Sequence, residues 1–359
     1  MNPDTYGVKY IGSKAALIPY ILKCIDENIP KGAVKRTIDV FTGTTRVAQA
    51  FKSRGWHVQT SDLSPASAAY SGTWITNAGT NQHLQAALDN LKKLTGHHGW
   101  LTKNYCDARG EEGGVVRVWQ AKNGRRADSI RDQIDLWEAS GRIKAWEKAT
   151  LVTSLILALD KVDNTVGVQQ AYLKDWCTRS YNDLALELPV ILPSPQGLHF
   201  TGNCLEIPYE PADLAYLDPP YSSHSYSTYY HIWDSIALWD KPAVGLKTNR
   251  RADRIAGHES YDSSMASDWN SKRGVLAAFE KLLVRLPVRW ILISYNNESL
   301  VDADTLLKLV RSKNFKKVTV SQIDYKRNIM CQIGNAAKDK GEDAEYRTEN
   351  VEYLILIEK

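Results

Sequence analysis

The sequence predicts an α/β chain: a doubly wound parallel sheet interrupted by a mainly helical insertion. Three observations carry this. A strand–turn–helix–strand succession with short connections opens the chain. The pattern changes over residues 78–197, and strands and helices then alternate again to the C-terminus.

Thr37–Phe41 is a short apolar run that ends at a glycine turn, so it reads as a strand, and Thr45–Ser53 follows as a helix. Trp56–Thr60 alternates like a strand and stops at Ser61-Asp62; Pro65–Thr76 is helical again. Within the insertion, Ala86–Leu94 and Ala145–Asp160 have helical spacing. Between them lie Gly-rich, charged stretches, Arg109–Gly114 and Asn123-Gly-Arg-Arg126, which read as connections. Pro189–Pro195 breaks regular structure. The α/β pattern resumes with strands at Leu198–Thr201 and Leu214–Leu217, helices at Tyr229–Trp239 and Val275–Leu283, a strand at Arg289–Ser294 and a helix at Ala303–Arg311. Phe315–Ile323 and Val351–Ile357 alternate with period two and are expected to pair as a terminal antiparallel hairpin. The expected units are therefore 1–77, the insertion 78–197, and 198–359.

Composition limits the function classes. The chain has 359 residues, 43% hydrophobic and 24% charged, as in ordinary soluble domains. The net charge of +4 permits a polyanionic partner without demanding one. No apolar run reaches the length of a membrane helix, and Met1–Tyr6 has no signal-peptide pattern. Five scattered cysteines, with no C-x-x-C pair, argue against a disulfide framework and a zinc site and for free thiols in a reducing cytoplasm.

The strongest local signal is Asp218-Pro219-Pro220-Tyr221, at the C-terminal end of an apolar strand, where open α/β sheets place their ligands. An aromatic exocyclic amine is a poor nucleophile because its lone pair is delocalised into the ring. The Asp218 carboxylate and the Pro219 carbonyl can both accept its hydrogens and so localise that pair. Two prolines fix φ and hold the acceptors in place, and Tyr221 can stack on the ring. The same tetrapeptide also reads as a Pro-Pro turn with an Asp cap and a packed tyrosine. Asp39-Val-Phe41-Thr42-Gly43-Thr44-Thr45 closes a strand and opens a helix, a place where backbone can approach a ligand. Asp62 ends the next strand, where dinucleotide folds put the acid that binds ribose hydroxyls; it could equally cap the following helix, as could Ser64.

In order, these motifs resemble the class D12 DNA N6-adenine methyltransferases, the Dam-like group and more closely the FokI-type adenine-methylating domains. Lys9-Tyr10-Ile-Gly12-Ser-Lys14 resembles the family's opening motif, which contacts the methionine end of the cofactor. Asp39–Thr45 resembles its F-x-G-x-G motif, Asp62-Leu63 its ribose-binding acid and neighbour, and Asp218–Tyr221 its catalytic tetrapeptide. Ser225–Asp234 with Trp239–Pro242, and Ile291–Glu298, resemble its later helix and strand. Two departures stand out. Thr45 replaces the second glycine, so the loop is expected to sit slightly farther from the cofactor. Asn203-Cys204 stands where the family has an acid that contacts the cofactor adenine.

The resemblance implies a Rossmann-like methyltransferase domain using S-adenosylmethionine on double-stranded DNA, without a metal. It implies base flipping, a cytoplasmic and nucleoid-associated location, and a possible cognate restriction endonuclease. The insertion is expected to read the target sequence. Lys241–Arg254 and Arg311–Arg327 concentrate Lys and Arg. Lys247, Arg250, Arg251 and Arg254 follow the catalytic helix and are expected on phosphates. Tyr226, Tyr229 and His231 are expected near the DNA, and Arg125 and Arg126 in a groove; a solvated surface is the plainer reading of such charges. Rival functions are methylation of RNA adenine or of a glutamine amide, and a DNA-binding specificity subunit without catalysis.

Overall fold

The computed structural model describes the chain except residues 1–2, 78–81, 108–116, 170, 193–194, 224–225, 246–247, 298 and 327–348. Lys247, the Arg109–Gly114 stretch, Ser225, Glu298 and Cys331 therefore lie outside the described residues.

The strands are β1 (Arg36–Asp39), β2 (His57–Asp62), β3 (Cys106–Asp107), β4 (Trp119–Gln120), β5 (Leu198–Thr201), β6 (Ala212–Leu217), β7 (Val288–Asn296), β8 (Lys317–Lys326) and β9 (Glu349–Glu358). Seven of them form one sheet in the order β5-β2-β1-β6-β7-β9-β8. All its pairings are parallel except those of β9, which is antiparallel to both neighbours. The C-terminal hairpin is thus borne out. From β1 the chain winds outward through β2 to β5, then returns to β6 on the other side of β1. The reversal opens a crevice at the C-terminal ends of β1 and β6, where Asp39 and Asp218 stand.

Both faces of the sheet are buried, and the period-two alternation sorts its side chains between them. Tyr216, Leu292 and Leu354 join one apolar cluster; Leu217, Ile293 and Ile355 join the other. The second face is covered by α10 (Val275–Arg285) and α11 (Ala303–Arg311). The first carries α1 (Ile18–Asn28), α2 (Arg46–Ser53), α3 (Pro65–Trp74) and α9 (His231–Leu238), the last preceded by the short α8 (Tyr226–Tyr229). The insertion supplies α4 (Gln82–Lys92), α5 (Trp100–Tyr105), α6 (Ala121–Ala139) and α7 (Ala145–Lys161). Its Leu91, Ile134, Leu151 and Ile156 join the cluster that holds Trp74 and Tyr216.

Asn123–Arg126, expected as a connection, is the first turn of α6. Gly124 is there for contact rather than for a turn: a Cβ on it would lie 2.1 Å from Cys106 Sγ. The same helix holds α9 in place. The buried Arg131 donates from Nε to the Ile236 carbonyl (2.7 Å) and from Nη2 to the Ala237 carbonyl (3.1 Å), two carbonyls of the last turn of α9. Cys24, Cys106, Cys177 and Cys204 are free. No helix among the described residues is long and apolar enough to cross a membrane.

Arg131→Met strips both carbonyls of a charged donor. The expected cost is about 2–4 kcal/mol, read as a lower urea midpoint at unchanged slope. A loss below about 1 kcal/mol would mean that those carbonyls find other partners.

Candidate active site

The crevice holds a cavity of about 340 Å³. Its walls come from five places in the chain. Tyr10–Gly12 precede α1; Val40, Phe41 and Gly43 follow β1; Asp62–Ser64 end β2; Gly202–Leu205 follow β5; and Asp218–Tyr221 follow β6. Tyr226, Tyr230 and Ser264–Asn270 close it. Gly12 has φ +79°, and a Cβ there would come within 3.1 Å of Tyr226 Oη, so only glycine keeps this wall open.

Behind the wall, Asp218 belongs to a desolvated cluster. Lys14 Nζ lies 3.1 Å from Asp218 Oδ1 and 3.1 Å from Glu352 Oε1, and donates to Tyr221 Oη at 2.6 Å. Tyr221 Oη in turn donates toward Asp218 Oδ1 and toward Glu352 Oε1 (3.1 Å). Lys14 is 5% exposed and Glu352 0%. Burial pushes the Asp218 carboxyl up to about 6; the Lys14 ammonium pulls against this, and Glu352 adds to it. Burial works against the Lys14 charge too, but Asp218 and Glu352 outweigh it and hold the ammonium above its ordinary value. Asp218 Oδ2 has no partner among the described residues and belongs to a cavity-lining side chain.

The family model for D12 class N6 adenine-specific DNA methyltransferase matches residues 10–284. The chain belongs to this family. The modification methylase StsI of Streptococcus sanguinis is 28% identical over 344 residues, 93% of this chain and 50% of that protein. The type II methyltransferase M.NlaIII of Neisseria lactamica is 28% identical over 358 residues, 98% and 99% of the two chains. The type II methyltransferase M.FokI of Planomicrobium okeanokoites is 27% identical over 372 residues, 98% of this chain and 53% of that protein. The chain thus spans about half the length of StsI and M.FokI and almost all of M.NlaIII.

In this member of the D12 family, several residues expected around a cofactor line the cavity together: Tyr10, Gly12, Phe41, Gly43, Asp62, Leu63, Asn203, Cys204 and Asp218. Asp62 accepts from the backbone N–H of Gly43 (2.8 Å) and of Ser64 (2.9 Å). The cap of α3 is Ser64, whose hydroxyl accepts from Ser67 N, so the helix leaves Asp62 to face the cavity. Asp39, Thr42, Thr44 and Thr45 are buried behind the lining. Thr42 donates to Asp39 Oδ2 at 2.9 Å, and burial pushes the carboxyl up to about 7. Thr45 adopts the left-handed conformation (φ 61°) that glycine would take freely. Its side chain turns inward and accepts from Gln49 at 2.9 Å. The expected retreat of the loop from a ligand is therefore unnecessary. Lys14, expected at the cofactor's methionine end, is held by Asp218 and Glu352.

Among the residues expected to meet DNA, Tyr226 lines the cavity and stacks with Tyr10 (5.5 Å between centroids), which stacks with Tyr230 (4.2 Å). Tyr229 packs edge-on against Tyr226. Two expectations are corrected. His231 is fully buried, its charge suppressed by desolvation to a value of about 3, so it faces no nucleic acid. Arg251 is 2% exposed and grips Asp240 (2.9 and 2.6 Å) and Asp253 (3.1 and 2.8 Å), so it is a strut and not a phosphate ligand. Arg254 sits between Asp253 (3.2 Å) and Asp262 (3.6 Å). Arg250 is half-buried and has no ion-pair partner among the described residues. Arg126 donates to the Leu184 carbonyl at 2.6 Å inside the insertion, whereas Arg125 is exposed.

Sequence reasoning missed Glu352, Asp234 and the wall Ser264–Asn270. Glu352 carried a signal: it stands in phase with Leu354 and Leu356, so a charge occupies a core position of an alternating strand. Asp234 accepts from Ser64 Oγ (2.6 Å) and Ala66 N (3.2 Å), tying α9 to the start of α3. Trp269 packs edge-on to Phe41 at 4.8 Å, a contact with no local signature.

Lys14→Met leaves two buried carboxylates without their cation. At pH 8 the expected cost is about 3–5 kcal/mol. Asp218 is raised in the fold above its unfolded value, so its ionisation opposes folding; that penalty is absent below the unfolded value and complete above the folded one. The deficit of the variant should therefore shrink between pH 8 and pH 5, as urea unfolding at the two pH values will show. An equal deficit at both would sink the assignment.

Proposed function

We propose that this chain methylates N6 of adenine in double-stranded DNA, with S-adenosylmethionine as methyl donor. The observation that carries this reading is Asp218, engaged through Oδ1 only, on the wall of a cavity at the switch point of the sheet.

The cavity suits such a cofactor. Asp62 offers a carboxylate for ribose hydroxyls, Phe41, Leu63, Leu205 and Trp269 offer apolar walls, and Gly12 and Gly43 let backbone approach. When bound, S-adenosylmethionine supplies an activated methyl group. The chain's own residues prepare the acceptor. Asp218 Oδ2 and the Pro219 carbonyl accept hydrogen bonds from the two amine N–H groups and localise the nitrogen lone pair. The proline rings hold this pair of acceptors without further ordering. The ring of Tyr221, with Lys14 Nζ 4.5 Å from its centroid, gives the flipped base a stacking surface. Extrusion of the base costs a few kcal/mol of unstacking, offset by this pocket and the aromatic group Tyr10, Tyr226 and Tyr230. Lys14 keeps Asp218 ionised at neutral pH; the new N–C bond forms as the methyl–sulfur bond of the donor breaks, and the proton then leaves the cationic nitrogen for water.

Arg250 and Lys247 are assigned to phosphates and the insertion, with Arg125, to sequence reading. As its partner we propose a cognate restriction endonuclease, a reading supported by relatives named modification methylase and type II methyltransferase, and as its place of work DNA in the cytoplasm and on the nucleoid.

Asp218→Ala should abolish methylation while calorimetry still registers S-adenosylmethionine binding. Retention of more than about a hundredth of wild-type kcat would refute the role. Arg250→Ala should weaken cognate and scrambled DNA alike and flatten the salt dependence by about one unit of slope. Arg251→Ala should instead lower the unfolding midpoint. A salt slope altered by Arg251→Ala and untouched by Arg250→Ala would reverse the two roles.

A further inference from the structure

We infer that Glu352 is a positioning residue of the amine-accepting centre: by sharing Lys14 with Asp218, it keeps Asp218 Oδ2 a strong acceptor toward the target amine. The inference rests on the reading of Asp218 given above.

The geometry is one of competition. An ammonium has three hydrogens to donate, and Lys14 spends them on Asp218, Glu352 and Tyr221, with equal 3.1 Å separations from the two carboxylates. Tyr221 has one proton and two carboxylates within reach. Two carboxylates thus share one cation and one phenol hydrogen in a buried site. Asp218 alone would neutralise Lys14. A second carboxylate, 0% exposed and with Oε2 lacking a partner among the described residues, adds desolvation cost and like-charge repulsion. The fold gains nothing from it that an apolar residue in phase with Leu354 would not supply.

The reaction does gain. In a one-to-one pair, Lys14 would draw the charge of Asp218 toward Oδ1 and leave Oδ2 a weak acceptor. With Glu352 taking part of the ammonium, Asp218 keeps charge on the oxygen that faces the cavity. The raised carboxyl, at about 6, fits this: still ionised at neutral pH, yet more basic than an ordinary aspartate. The other titratable groups around the pair are Tyr216 on β6, whose hydroxyl donates to Ser294 Oγ (2.9 Å), and Asp39 on β1, which acts on Asp218. Glu352 reaches the site because β9 runs antiparallel beside β7, with Glu352 opposite Asn296 at the functional end of the sheet.

The test is the pH dependence of single-turnover methylation of unmethylated plasmid DNA at saturating S-adenosylmethionine. In the wild type, the rate should fall on the acid side with a midpoint near 6 as Asp218 is protonated. Glu352→Gln keeps the shape and removes the charge. It should move the midpoint to lower pH by about one unit, because the like charge that raised Asp218 is gone, and lower the plateau rate several-fold. An unmoved midpoint overturns the inference, whatever the plateau does, since a merely structural residue would alter rate or stability alone. If Glu352→Gln does not fold by near-ultraviolet circular dichroism, Glu352→Asp decides: a carboxylate withdrawn by one methylene should shift the midpoint the same way by less, and no shift overturns the inference. Asp218→Ala separates the two claims. An inactive Asp218→Ala beside an unshifted Glu352→Gln defeats the inference alone, whereas an active Asp218→Ala defeats the reading it rests on.

Discussion

Lys14 stands at the only point where the N-terminal loop, the turn after β6 and the last strand of the described fold all meet one ion-pair cluster. Its ammonium is nearly dry, and a dry charge must be paired. The carboxylates that pair it come from residues 218 and 352, so one interaction fixes three distant parts of the chain against each other. Tyr221 is locked by the same contacts, through its hydroxyl and through its ring. The wall of the cavity is rigid because the charges behind it have nowhere else to go.

The helix α9, beyond the Asp218–Tyr221 turn, is held as tightly, and by the insertion. At its start, Gln169 Oε1 accepts from Ile232 N (2.8 Å) and Trp233 N (3.2 Å), amides left over in the first turn. At its end, Arg131 takes the carbonyls of Ile236 and Ala237. In its middle, Asp234 reaches Ser64, two residues after the acid that ends β2. The insertion and α9 are thus joined by hydrogen bonds at both ends of the helix. The segment expected to read sequence and the segment expected to do chemistry share one helix as their common strut.

Much of this was legible in the sequence. The central strands announced themselves because a strand buried on both faces is a continuous apolar run, as in Leu214–Leu217, and the Asp-Pro-Pro-Tyr turn fell at its end. The terminal hairpin was legible from alternation alone. What stayed hidden depends on distance in the chain. Gly124 looked like a loop residue because its reason, the sulfur of Cys106, lies across a helix–strand contact. Thr45 looked like an intrusion on a ligand, because sequence does not say which way a side chain leaves a left-handed residue. Lys14 was found, but its partner Glu352 lies near the other terminus, and no spacing rule links them.

The stretch after α9 shows how charge in a sequence differs from charge at a surface. Counted locally, residues 241–254 hold several cations and a single acid. In space, Asp240 and Asp262, just outside that window, close on Arg251 and Arg254. Burying Arg251 costs desolvation that two forked carboxylates offset, and what the fold gains is a pinned loop: Arg251 bridges Val244 through the backbone and Ser235 of α9 through its side chain (3.2 Å). With Arg251 spent in this way, Arg250 beside it is left without an ion-pair partner among the described residues. One arginine holds the platform and its neighbour keeps its charge unpaired among the described residues, so a charge count read from composition overstates the number of free cations.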